Sequence, residues 1–155
     1  MTPSERSELI ERYRAGFAAV DDALAGITDA ELDRRPPGEG EWTAREIVHH
    51  LADSESMAYI RLRRVLAEDD PLIQGYDEPE WARRLDYDRP IEPSIAVARA
   101  VRASSAQLLA SLDDAEWSRT GTHSESGSYG VERWLQIYAG HPADHAAQIR
   151  RARSA

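Results

Sequence analysis

Tyr138-Ala139-Gly140-His141-Pro142-Ala143-Asp144-His145-Ala146-Ala147-Gln148-Ile149 is the stretch from which the rest of the chain can be read. Residues four apart on a helix stand one above the other, so His141 and His145 point the same way and can grip one metal ion. Only five histidines occur, and two more are adjacent in Val48-His49-His50-Leu51. If both segments are neighbouring helices of one bundle, three imidazole nitrogens can meet at one cation.

Working outward, the last helix is predicted from about Gly130 to Arg153, with Val131, Trp134, Leu135, Tyr138 and Ile149 apolar. Pro142 removes one backbone hydrogen bond inside it and predicts a kink. Thr43-Ala44-Arg45-Glu46 has the form of a capping box and opens the longest helix, to about Leu66. Ile47, Val48, Leu51, Ala58, Leu62, Val65 and Leu66 mark its buried face. At 100° per residue His50 lies on the flank of that face, followed by Ser54, Met57 and Arg61, whereas His49 points to solvent.

The first helix is predicted over residues 4–25, on the stripe Leu9, Ile10, Tyr13, Phe17, Val20 and Leu24. A third runs from Pro93 to about Leu112, with Ile95, Ala98, Val101, Leu108, Leu109 and Leu112 inside. Short helical turns are expected at Thr28–Glu31, Asp77–Ala82 and Asp113–Trp117. Residues 119–129 read as a polar loop, with His123 solvated, and no strand is predicted. The four tryptophans read as core or helix-end anchors. Arg61, Arg63 and Arg64 read as a solvated face, of which Arg61 alone stands near enough to His50 to hold an anion. The economical architecture is a single all-α domain over residues 1–155, an up-down four-helix bundle with short extra helices in its connections.

Composition narrows the function. The net charge of -9 argues against a nucleic-acid partner. All nineteen basic residues are arginine, which excludes a Schiff-base or Walker-type lysine. The absence of cysteine excludes disulfides, thiolate ligands and a cysteine nucleophile. No apolar run reaches the roughly 20 residues of a membrane span, and residues 1–6 lack a signal segment, so the expected setting is cytoplasmic. Three neutral imidazoles would leave a zinc or nickel ion an open position, as in catalytic sites. Asp53, Glu55 and Asp144 stand near the candidate ligands in sequence and are candidates to orient them.

Four segments then resemble one family, the DinB/YfiT superfamily and its YfiT-like branch. They are Glu41–Ser54, Ala58-Tyr59-Ile60-Arg61, Tyr76-Asp77-Glu78-Pro79-Glu80-Trp81-Ala82 and Tyr138–Ile149, together spanning residues 41–149. The resemblance implies a homodimeric four-helix bundle binding one divalent metal (zinc or nickel) through His50, His141 and His145. It also implies a thiol S-transferase that conjugates a low-molecular-weight thiol, such as bacillithiol, to an electrophilic small molecule. In that reading Arg61 takes the thiol's carboxylates, and Tyr59 or Glu55 orients. The alternatives are hydrolysis by a metal-bound hydroxide with Glu55 or Asp144 as proton acceptor, and a non-enzymatic metal- or small-molecule-binding bundle. Within the branch's last-helix pattern, Gly140 stands for a tryptophan and Asp144 and Gln148 for histidines.

Overall fold

The computed structural model describes residues 1–155. Its elements are α1 (Pro3–Ala15), α2 (Ala18–Leu24), α3 (Asp29–Leu32), α4 (Ala44–Ala67), β1 (Leu72–Ile73), α5 (Glu78–Arg84), α6 (Glu92–Ser111), α7 (Asp114–Trp117), β2 (Thr120–His123), β3 (Gly127–Gly130) and α8 (Val131–Arg153). The expected capping boxes form at Thr28 and Thr43: each side chain accepts from the backbone N–H three residues on, and the glutamate there reaches back. Pro3 and Pro93 occupy first turns, where a missing N–H costs nothing.

The four-helix bundle expected from the sequence forms, with α1 and α2 sharing one corner. Its directions are up, down, down, up rather than strictly alternating. Along α4 and α6, His49 meets Ser94, Glu55 meets Arg102 and Arg63 meets Ser104, so these helices run parallel. Along α4 and α8, His50 meets His145 and the Ala58 carbonyl meets Trp134, so these run antiparallel. Arg6 binds Glu132 and the Ala19 carbonyl binds Arg150, so α1 and α2 run parallel to α8. A parallel α4–α6 pair requires the chain to travel back along a helix of roughly 36 Å before α6 begins. That return accounts for the length of the α4–α6 connection, and it carries the start of α5 past His50.

Four further sequence expectations are corrected. The first helix is broken at Gly16-Phe17, where the buried Arg102 guanidinium enters against the Tyr13 carbonyl. A three-stranded sheet exists, β1 parallel to β2 and β2 antiparallel to β3; strands of two and four residues are too short to display alternation. His123 is therefore not a solvated loop residue, because β2 turns it inward against Tyr129. His49 is wholly buried rather than solvated: α6 and the loop before it cover that flank of α4, and the ring bonds Ser94 Oγ (2.8 Å) and the Arg89 carbonyl (2.9 Å).

Two apolar clusters stack along the bundle. One gathers Tyr13, Leu62, Val65, Leu109, Trp134 and Leu135; the other gathers Phe17, Val20, Ile47, Leu51 and Ile149. Each fully buried aliphatic side chain contributes about 1.5–3 kcal/mol. Between the clusters every long helix changes character at one level. There lie the α1–α2 break, His50 to Glu55 on α4, Arg102 on α6, and His141 to His145 on α8. The polar layer so formed is the candidate site.

Candidate metal centre

The capping box at Thr43 fixes where α4 starts, and with it the rotation that turns His50 toward α8. The 3.6-residue repeat of α8 stacks His141 and His145 opposite it. One ring nitrogen from each of the three lies within 4.8 Å of the others. His141 Nε2 and His145 Nε2 are 3.1 Å apart.

The partners of the outer ring nitrogens fix the tautomers. His145 Nδ1–H donates to Gln148 Oε1 at 2.6 Å, and His141 Nδ1–H donates to Glu55 Oε1 at 3.3 Å. Both oxygens are acceptors, so both protons sit on Nδ1 and both Nε2 lone pairs face inward. Two inward lone pairs at 3.1 Å call for a positive charge between them, a shared proton or a metal ion. Nitrogens each about 2.1 Å from one ion stand roughly 3–3.5 Å apart, so the pair already has the spacing of two ligands. Burial lowers the His50 pKa to about 3, with the nearby imidazoles adding to the shift. Burial likewise lowers His145 to about 4. Both are neutral near pH 7, the state in which imidazole binds metal. This donor set fits a borderline dication such as zinc or nickel.

A cavity of about 300 Å³ opens on His50 and His145, lined also by Trp42, Glu78, Gln148 and Arg151. Trp42 packs edge-on against His50, ring centroids 4.8 Å apart. Glu78, half-exposed at the start of α5, has Oε2 4.0 Å from His50 Nε2. Burial raises its carboxyl above the ordinary range, while His141 and Arg61 pull the other way.

The other sequence candidates are distributed unevenly. Glu55 is fully buried and joins the layer, bonding His141 and pairing with Arg102 Nη1 at 2.6 Å. Arg61 reaches Tyr138 OH (3.0 Å) and the Gln74 carbonyl (2.8 Å), so its terminal nitrogens are held by the protein. Tyr59 is carried to the α6 side, under the Arg63 guanidinium, which also bonds Ser104. Asp144 is exposed on the outer face of α8, and Asp53 accepts from Tyr87 instead of an imidazole. Gly140 faces Arg12, not the cavity; a Cβ there would stand 3.0 Å from Arg12 Nη2. Trp42, Glu78, Gln148 and Arg102 are site residues that the sequence reading did not select. Of these, Gln148 had a local signal, since it lies three residues after His145 on the same face.

The family model of the DinB superfamily matches residues 12–149. A relative from Oceanobacillus iheyensis is 44% identical over 110 residues, covering 71% of this chain and 64% of that protein. One from Geobacillus kaustophilus is 35% identical over 147 residues, covering 94% of this chain and 82% of that protein. Both bear the name "Putative metal-dependent hydrolase". The chain thus spans slightly less than two thirds of the Oceanobacillus relative. Among solved structures, YfiT from Bacillus subtilis superposes with a TM-score of 0.89 at 30% identity, covering 98% of this chain and 87% of that one. It is described as "a probable metal-dependent hydrolase with an unusual four-helix bundle topology". With the bundle, the histidine layer and these likenesses in agreement, the chain belongs to the DinB superfamily, in its YfiT-like branch.

Proposed function

We propose that this protein is a metal-dependent hydrolase of small molecules, with one zinc or nickel ion held by His50, His141 and His145. The observation that carries the reading is the inward convergence of the two Nε2 lone pairs at 3.1 Å, each enforced by an acceptor on the far side of its ring. A divalent ion bound there supplies Lewis acidity and a water acidified toward neutral pH. Glu78 is placed to take up a proton, because its carboxylate borders the cavity beside His50 and burial raises its basicity. Trp42 walls the cavity beside His50, and Arg151 offers a cation to an anionic portion of the substrate.

Thiol S-transfer is the second reading. Arg151 would serve it equally, as a counter-ion for the carboxylates of a low-molecular-weight thiol, which must come from outside because the chain has no cysteine. The metal would lower the thiol pKa and so supply the nucleophile.

The test begins with metal content of untagged protein beside His50→Ala. One equivalent in wild type, lost in the variant, supports the triad. Ester and amide panels are then run with and without added thiol. Turnover without thiol supports hydrolysis, and strict dependence on thiol supports transfer. No turnover from metal-loaded protein leaves a binding bundle.

A further inference from the structure

Arg102 is 3% exposed and sits at the centre of the polar layer. Its guanidinium makes three kinds of contact. Nη1 donates to Glu55 Oε1 at 2.6 Å and to the Tyr138 carbonyl at 3.2 Å. Nη2 donates to the Tyr13 carbonyl. The guanidinium carbon also lies 3.8 Å from the Tyr13 ring centre.

Both carbonyls belong to helix defects. Pro142 has no N–H, so Tyr138, four residues earlier, lacks the helical partner it would otherwise have. Tyr13 lies at the end of α1, where the chain breaks before α2. The Tyr13 carbonyl keeps one long backbone bond, from the Gly16 N–H at 3.4 Å, whereas the Tyr138 carbonyl has lost its helical donor. A buried carbonyl without a partner is costly, so Arg102 restores a donor to Tyr138 and adds a second one to Tyr13. The same guanidinium supplies the countercharge for Glu55, a carboxylate with no exposed surface. Glu55 in turn bonds His141, which lies three residues after Tyr138.

These contacts reach His141 from two sides. Through the Tyr138 carbonyl, Arg102 fixes the backbone of α8 one turn before the imidazole. Through Glu55, it fixes the ring's rotation and its Nδ1–H tautomer. His145 has no such support; its Nδ1–H goes to the neutral amide of Gln148. A carboxylate behind an imidazole makes the ring a stronger donor than an amide does.

We propose that Arg102 is a positioning residue for the metal site, holding Glu55 and the Pro142-released carbonyl together so that His141 presents Nε2 as a stronger donor than His145 does. This rests on the metal-binding reading above.

The test uses zinc alone as probe, with affinity measured by competition against a chromophoric chelator. Cobalt substitution gives the absorption spectrum of the site. The variants are Arg102→Lys, Glu55→Gln and the double Glu55→Gln/Arg102→Met, which removes both charges and so keeps a foldable protein if Arg102→Met alone does not fold. Helical circular dichroism and the cobalt spectrum accompany each affinity. The expected result is a loss of zinc affinity of about 10- to 100-fold in Glu55→Gln and in the double variant. Arg102→Lys should fall between these and wild type, with an altered cobalt spectrum in every folded variant. Wild-type affinity and spectrum in the folded double variant would overturn the role of Arg102 while leaving the triad standing. Failure of wild type to bind zinc would overturn the triad and this role together.

Discussion

The carbonyl of Tyr138 accepts a hydrogen bond from Arg102 at 3.2 Å, in place of the helical N–H that Pro142 cannot supply. Pro142 therefore frees an acceptor, and a buried cation from another helix answers it. Because the same cation neutralises Glu55, its removal leaves a bare carboxylate in the bundle's interior. Arg102→Met alone is expected to destabilise the fold by about 3–5 kcal/mol, the range for breaking a buried ion pair from one side. Adding Glu55→Gln to the same chain should recover most of that loss. Urea unfolding of the two variants decides it: equal destabilisation would mean that the uncompensated charge is not the cause.

How far this layer was legible in the sequence depends on whether its cause was local. Capping boxes at Thr28 and Thr43 and the apolar repeats located the helices within a few residues, because both act inside one segment. The stacking of His141 over His145 and the rotation of His50 toward the bundle were also legible, since helix geometry alone sets them. Arg102 was not. Between Arg99 and the apolar Ala106 it reads as one more solvated arginine, and only the α1–α2 break and Pro142 together give it a buried role. His49 was misread because the sequence does not say that α4 is covered on two flanks. Glu78 stayed hidden because its position depends on the return of the chain from α4 to α6, and so on the parallel direction of those helices.

On the proposed metal-binding reading, the five histidines separate into three that converge and two, His49 and His123, that are structural, which substitution should show. His49→Ala removes the shared partner of Ser94 Oγ and the Arg89 carbonyl. The expected cost is about 1–3 kcal/mol in urea unfolding, with zinc stoichiometry unchanged. His123→Ala, in β2, should also leave stoichiometry unchanged. Loss of zinc from either folded variant would assign the site differently.

Acid stability should depend on Glu31, which ties α3 to the end of α8. Its carboxylate accepts from the Thr28 N–H (2.8 Å) and from Arg153 Nε (3.1 Å). The Thr28 backbone bond, and then the Arg153 bond, lower its pKa from 4.5 to about 2. A folded-state pKa below the unfolded one gives stability that is fully present above the unfolded value. That contribution is lost as pH falls through the folded value, here from about 4.5 down to about 2. The melting temperature of wild type should thus fall more steeply across this window than that of Glu31→Gln. Parallel curves for the two proteins would show that these bonds do not set the acid limit.

Glu78 separates binding from turnover. It borders the cavity beside His50 but contributes none of the three converging nitrogens. Glu78→Gln keeps the side chain's size and removes its capacity to take a proton. Zinc stoichiometry should therefore remain at one equivalent, while hydrolytic turnover falls about 10²- to 10⁴-fold, the usual contribution of a positioned base. The half-exposed position of Glu78 makes a folding defect a poor explanation for such a loss, and an unchanged melting temperature would confirm this. Undiminished turnover with zinc bound would remove Glu78 from the chemistry.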